Sequence, residues 1–135
     1  MSQKAVVLRL VSDCWDGVFN HEEVLEAPTP ANFEQFFGRM DAQVYTMIAL
    51  QSSGYCHMGI GGGSGRYVVY ATFDNETFWN LISGAGEPGK IMLNAGGQEG
   101  EYPARHVVTL AEARQVGLAF LASGELDRSL PWEKQ

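Results

Sequence analysis

The chain has 135 residues, of which 45% are hydrophobic and 19% are charged, and its formal net charge is −7 at pH 7. This length suits a single domain over residues 1–135 and is too short for two independent cores. The composition argues against a disordered chain, and no apolar run reaches the roughly 20 residues needed to cross a bilayer. The acidic balance argues against nucleic acid or an anionic membrane as a partner.

The cysteine content and the start of the chain bear on the cellular compartment. Two cysteines, Cys14 and Cys56, are too few for a disulfide scaffold. The first residues contain no apolar core and no small-residue cleavage site of the kind found in export signals. We therefore expect a reduced, cytoplasmic protein.

The first third of the chain predicts a strand, a loop and a helix. Residues 4–11 (KAVVLRLV) are apolar and β-branched, which is typical of a strand. Residues 12–27 have no clear period and carry Trp15 among several acids, which predicts a long exposed loop. Over residues 29–40, a capping Thr, a Pro in the first turn and a stripe of Phe predict a helix.

The rest of the chain predicts a meander of strands and a second helix. Apolar runs at residues 44–51, 55–60, 66–73 and 77–83 leave no room for crossover helices, so neighbouring strands should be antiparallel. Residues 90–94 and 100–103 are expected to extend this sheet, with Gly96 and Gly97 interrupting it. Thr109 and Glu112 form a capping box, and Gly124 is placed to end the helix. The fold class is therefore α+β, with an antiparallel meander sheet of about five to seven strands packed by two helices.

The glycine-rich stretch GIGGGSGR, from Gly59 to Arg66, does not fit a nucleotide-binding loop. The third Gly of a dinucleotide fingerprint would fall on Ser64 or Arg66, depending on the register. No Gly is followed by Lys-Ser or Lys-Thr, and Arg66 stands where a nucleophile elbow around Ser64 needs Gly. We predict a glycine-rich hairpin instead.

The residues that could bind metal or act as nucleophiles form no recognisable motif. The Cys and His residues include no CxxC, no HExxH and no helical i, i+4 pair, so neither a metal nor another cofactor is expected. A thiol enzyme using Cys56 or Cys14 with a His, for instance Cys56 with His106, stays open because such partners need only be close in space. Free Cys is more often a small buried hydrophobe.

The C-terminal part of the chain resembles a known family. A capped helix that ends Phe-Leu-x-x-Gly at Gly124, a tail that reaches Trp132 and Glu133, and Tyr102-Pro103 ahead of the helix carry this resemblance. The chain is similar in these features to the first immunity-protein family (Imm1-type) of bacterial polymorphic toxin systems. The resemblance implies a small α+β cytoplasmic antidote of a secreted toxin, often a nucleic-acid deaminase, and it transfers no catalytic residue.

Acidic residues are the candidate contacts of such an antidote. A toxin that acts on nucleic acid tends to have a basic cleft, in which acids could take the place of phosphates. Trp15 is either an aromatic anchor among these charges or part of the core. A weaker acidic patch flanks Gly100. The toxin-binding candidates are Asp13, Trp15, Asp16, Glu22, Glu23, Glu26, Glu99 and Glu101.

The expected function is inhibition without turnover, by stoichiometric occlusion of the active site of a cognate toxin. Two alternatives remain open. One is a small thiol-dependent hydrolase, and the other is an adaptor or chaperone of a secretion system, whose client would stay active when bound.

Overall fold

The computed structural model describes residues 7–83 and 88–135, and this part of the chain contains eleven strands, two α-helices and one short 3-10 helix. The strands are β1 (Arg9–Ser12), β2 (Trp15–Asp16), β3 (Phe19–Asn20), β4 (Glu23–Glu26), β5 (Met47–Gln51), β6 (His57–Gly63), β7 (Arg66–Thr72), β8 (Phe78–Leu81), β9 (Lys90–Ala95), β10 (Gln98–Pro103) and β11 (Trp132–Lys134). The helices are α1 (Pro30–Gly38) and α2 (Leu110–Ser123), and the 3-10 helix is Ala104–His106.

Seven of the strands form one antiparallel sheet in the order β11-β8-β7-β6-β5-β1-β4. Strands β5 to β8 are the predicted meander, with small shifts at their ends. Strand β1 pairs with β5 and lies between β5 and the edge strand β4. The C-terminal strand β11 pairs with β8 and forms the other edge of the sheet. With two helices against this sheet, the predicted α+β class is confirmed.

Local sequence signals account for both helices. Helix α1 begins after Thr29, whose hydroxyl accepts from the Asn32 amide at 3.1 Å while the Asn32 side chain accepts from the Thr29 amide at 2.9 Å. The same reciprocal cap joins Thr109 and Glu112 at the start of α2. Such caps satisfy amides that a helix leaves without partners in its first turn.

The core lies between the helices and one face of the large sheet. Phe33 of α1 and Phe120 of α2 are fully buried with Leu10 of β1, and burial of a side chain of this size contributes about 1.5–3 kcal/mol. Gly117 lets helix α2 pack closely against helix α1 and strand β6. A Cβ at Gly117 would lie 2.4 Å from the Phe33 ring and 3.1 Å from the Ile60 side chain. The Phe stripe of α1 therefore contributes Phe33 and Phe37 to the core.

The glycine-rich stretch forms the hairpin of β6 and β7, as predicted, but most of its glycines lie within strand β6 itself. The hairpin of β9 and β10 packs over this strand on the face away from the helices. A Cβ at Gly61 would lie 2.5 Å from the Cβ of Ala95, and one at Gly62 would lie 3.0 Å from Leu93. Small residues in β6 therefore let the second hairpin approach the sheet.

Three sequence predictions need correction. Residues 12–27 are not one long loop, because they contain the short hairpin of β2 and β3 and the edge strand β4, which pairs with β1. Strands β9 and β10 do not extend the large sheet but form a separate two-stranded sheet. The first predicted strand, residues 4–11, is described only from residue 7 and is a strand from Arg9 to Ser12.

Several surface carboxylates predict a loss of stability in acid. Amides of Thr77 and Glu76 donate to Asp74 at 2.8 and 2.9 Å, and these bonds lower its pKa below the usual 3.8. Hydrogen bonds from Arg105 and then His106 lower the pKa of Glu133 below 4.5. A folded pKa below the unfolded value contributes stability above the unfolded pKa, and this contribution is lost as the pH falls through the folded pKa.

We therefore expect the urea midpoint to change little between about pH 7 and pH 5.5 and to fall below about pH 4.5. The measurement is urea unfolding across this range for the native protein and for Asp74→Asn. Because the amide cannot ionise, Asp74→Asn should be less stable at pH 7 and should lose less stability on acidification. Equal pH dependence for both proteins would show that Asp74 contributes nothing to the acid transition.

Candidate functional site

Asp13 follows strand β1 and is a buried acceptor of hydrogen bonds. Its Oδ1 accepts from the Thr46 amide at 2.7 Å and from the Met47 amide at 3.0 Å. Its Oδ2 accepts from the Trp15 indole at 2.8 Å and from the Thr46 hydroxyl. Only 7% of the residue is exposed. Asp13 therefore ties β1 to the start of β5 inside the fold and does not lie on the acidic surface to which the sequence analysis assigned it.

Trp15, in strand β2, packs against the turn between β9 and β10. A Cβ at Gly97 would lie 2.1 Å from the indole ring, so only glycine allows this contact. The Gly97 amide also donates to the Thr46 hydroxyl at 2.8 Å, and that hydroxyl donates to Asp13. The half-buried indole thus has a packing role, and the same network joins the two hairpins to the large sheet.

This contact places the two predicted acidic patches on neighbouring hairpins. Asp16 follows Trp15 in β2 with 87% of its side chain exposed, and its carboxylate is 4.0 Å from His21 Nε2. Glu22 follows the same hairpin, and Glu99 stands two residues after Gly97 in β10; both are exposed. Glu22 and Glu99 form no ion pair with any residue in the described ranges. We call Asp16, Glu22 and Glu99 the acidic rim.

The other acidic candidates have basic neighbours within the chain. The pairs are Glu23–Arg39 at 3.1 Å, Glu26–Arg9 at 3.9 Å and Glu101–Lys90 at 3.9 Å. Arg39 also lies over the rings of Phe36 and Tyr45, with its guanidinium carbon 4.4 and 4.1 Å from their centroids. Glu23 therefore joins the edge strand β4 to helix α1, and these three acids add less free negative charge to the surface than the acidic rim does.

Val18 and Phe19, which are not among the predicted contacts, form the tip of the hairpin of β2 and β3. They are 84% and 69% exposed. The available signal was Gly17, because glycine at the first of the two central positions is favoured in two-residue hairpin turns. Because residues 12–27 were interpreted as one loop, no side chain in it was expected to project at a tip.

The thiol alternative gains no support from the geometry of Cys56. Burial raises the pKa of its thiol, although a hydrogen bond with Ser52 opposes this, and a raised pKa disfavours the reactive thiolate. The Cys56 sulfur lies 3.9 Å from the Gly124 carbonyl oxygen. His106 instead has its Nε2 3.0 Å from a carboxylate oxygen of Glu133. Cys56 and His106 thus have different neighbours, and Cys56 behaves as a buried hydrophobe.

A cavity of about 520 Å³ opens at the far end of the sheet, away from the two hairpins. Arg9, Gln51, His57 and Tyr70 are among its lining residues. Elsewhere too, within residues 7–83 and 88–135, no three His, Cys, Asp or Glu side chains are grouped so that they could hold a metal ion. None of the helices in these ranges is long and apolar enough to span a membrane.

Comparison with known proteins places this fold in a family. No curated protein matches the chain. The family model described as immunity protein Imm1 matches residues 21–134, which include the sheet from β4 onward, both helices and the C-terminal strand. The chain therefore belongs to the Imm1 family of immunity proteins.

Proposed function

We propose that this protein is the antidote of a secreted bacterial toxin and acts as one domain in the cytoplasm. It binds its cognate toxin one to one and occludes the active site, without turnover and without a cofactor. Membership of an immunity-protein family supports the role of an inhibitor that is not an enzyme. The observation that carries the proposal for this chain is the acidic rim, where Glu22 and Glu99 are exposed without a basic partner in the described ranges.

The charge of the rim indicates the class of toxin. An enzyme that acts on nucleic acid, such as a deaminase, needs a positive cleft for the phosphate backbone. Carboxylates on two adjoining hairpins can occupy such a cleft where phosphates would bind, and they also accelerate the encounter of the two proteins. The net charge of −7 adds a long-range attraction of the same sign. Asp16, Glu22 and Glu99 are the proposed central contacts, with Trp15, Glu23, Glu26 and Glu101 around them.

The first test is rescue of growth. The C-terminal toxin domain encoded beside the gene for this chain is expressed in a bacterium with and without this protein, and complex formation is measured by calorimetry. Rescue that tracks a one-to-one complex is the expected result. A complex in which the toxin keeps its activity would identify a carrier, and a neighbour that kills despite this protein would exclude the antidote role.

Charge reversal in the acidic rim is expected to slow association with the toxin. Glu22→Lys should reduce the association rate constant about tenfold at low salt, because steering depends on complementary charge. Added salt should slow the native protein more than the variant. The measurement is stopped-flow association over a series of salt concentrations.

Glu76→Lys is the matched control for this prediction. Glu76 is also exposed, but it lies in the turn between β7 and β8 at the opposite end of the sheet. Both substitutions change the net charge by the same amount, so a purely long-range effect would be the same in both. A slower rate for Glu22→Lys alone supports the rim as the contact surface, and equal rates for the two variants argue against it.

A further inference from the structure

The tip of the hairpin of β2 and β3 exposes two adjacent apolar side chains. Val18 and Phe19 are 84% and 69% exposed, the highest values among the large hydrophobic residues in the described ranges. Single exposed hydrophobic residues are common on soluble proteins. Two of them together on a projecting turn, with Asp16 on one side and Glu22 on the other, have the arrangement of an apolar contact with a charged border.

The hairpin holds this tip in a defined position. Gly17 begins the turn with a positive φ of 61°, and Asp16 pairs with Phe19 across it. At the base, the Cys14 amide donates to the Asn20 side chain at 2.9 Å, and the Trp15 amide donates to the Val44 carbonyl at 2.9 Å. A tip that is already ordered loses little conformational entropy on binding, so apolar contacts made there translate more fully into affinity.

Family membership does not account for the exposed tip. The family match begins at residue 21, immediately after the hairpin of β2 and β3. Trp15, the aromatic anchor that the sequence suggested, already packs against Gly97 and donates a hydrogen bond to Asp13. Phe19 makes none of the aromatic or cation–π contacts found between described residues. Its ring is therefore available to a partner at no cost to the core.

We propose that Phe19, supported by Val18, is the apolar anchor of the complex and inserts into an apolar pocket of the toxin that is rimmed by Lys or Arg. We infer Lys or Arg around the toxin's pocket because Asp16 and Glu22, which flank the anchor in sequence, are negatively charged and need a partner of opposite charge. This inference rests on the proposed function, since it names the part of the surface that carries the affinity. Large aromatic side chains that fill a desolvated pocket dominate interfaces of this kind.

The test compares equilibrium dissociation constants and rate constants for the same toxin domain. Phe19→Ala should weaken binding about 100-fold, mostly through faster dissociation, whereas a rim charge acts on association. Val18→Ala should weaken it less, and Phe19→Leu should retain part of the affinity because it keeps apolar volume. None of these variants should shift the thermal midpoint much, since the side chains of Val18 and Phe19 are mostly exposed.

Tyr55→Ala is the matched control. Tyr55 is 68% exposed, as Phe19 is, but it lies between β5 and β6 beside the cavity at the far end of the sheet. Unchanged binding by Phe19→Ala, with a native protein that binds tightly, would overturn the anchor and leave the antidote role intact. Weaker binding by Tyr55→Ala instead of Phe19→Ala would also overturn it and would move the interface to the cavity. A native protein that does not bind the toxin would overturn both proposals.

Discussion

Replacing Asp13 with alanine is expected to lower the free energy of unfolding by about 4 kcal/mol. The carboxylate accepts hydrogen bonds from the amides of Thr46 and Met47, the Thr46 hydroxyl and the Trp15 indole. Alanine leaves these donors buried without an acceptor, and each such donor costs about 1–3 kcal/mol. The expected loss is smaller than the sum over the four donors, because the Trp15 indole can turn toward solvent once its hydrogen bond to Asp13 is lost.

The measurement is urea unfolding followed by far-ultraviolet circular dichroism, with tryptophan fluorescence as a second probe. Asp13→Asn keeps one carbonyl acceptor and should lose about half as much stability as Asp13→Ala. Asp16→Ala is the control, because this acid is exposed three residues away and should change stability by no more than about 0.5 kcal/mol. Equal stability of Asp13→Ala and Asp16→Ala would exclude Asp13 as the link between the hairpins and the sheet.

The same network bears on the antidote role. Thr46 accepts from the Gly97 amide and donates to Asp13, so loss of the carboxylate also loosens the hairpin of β9 and β10. Reduced binding by Asp13→Ala would therefore report a disordered contact surface and not a lost contact. Charge reversal at Glu22 avoids this ambiguity, because Glu22 is exposed and forms no such bonds with the residues that the structure describes.

The helices and the meander could be predicted because their signals are local. Thr29 and Thr109 cap helices within three residues of themselves, and the Phe spacing in α1 is visible in a single window. Short apolar runs bounded by Gly, Ser, Asp or Asn likewise indicate strands without reference to their partners. These features need no knowledge of which residues meet across the fold.

Two of the errors concern strand pairings that the local sequence pattern does not determine. Strand β4 has Glu at both ends and becomes a strand by pairing with β1, with Leu25 opposite Leu10. Periodicity also cannot distinguish a strand at the edge of a sheet from one in a separate hairpin, so β9 and β10 were assigned to the wrong sheet. In both cases tertiary pairing decided what the local pattern left open.

The candidate site shows the same division. Charge pattern located the acidic segment, but Asp13 is buried only because its acceptors meet donors of Thr46 and Met47 more than thirty positions later. Likewise, the negative charge of Glu23 is compensated by an ion pair with Arg39, which lies at the C-terminal end of helix α1. Sequence composition therefore identifies which residues could bind a basic partner, whereas the fold decides which of them remain available.

Gly63→Ala is expected to lower the free energy of unfolding by about 3 kcal/mol or more. Gly63 has a φ of 148°, and a Cβ there would lie 2.5 Å from the Ala42 nitrogen and 2.6 Å from the Asp41 nitrogen. These are backbone atoms, so no side-chain rotation can relieve the overlap. Gly63 pairs with Asp41 in an isolated bridge, and this approach positions the turn that precedes β5.

Gly65→Ala, in the turn of the same hairpin, separates this overlap from the cost of the backbone angle alone. Gly65 also has a positive φ of 91°, but a Cβ there would meet nothing within 4 Å, so its substitution should cost only about 1 kcal/mol. Both variants are compared by urea unfolding at neutral pH. A larger loss for Gly63→Ala would show that glycine is required at this position because the backbone of Asp41 and Ala42 packs against it. Equal losses would instead assign the whole cost to the backbone angle and would remove the Asp41 turn from the explanation.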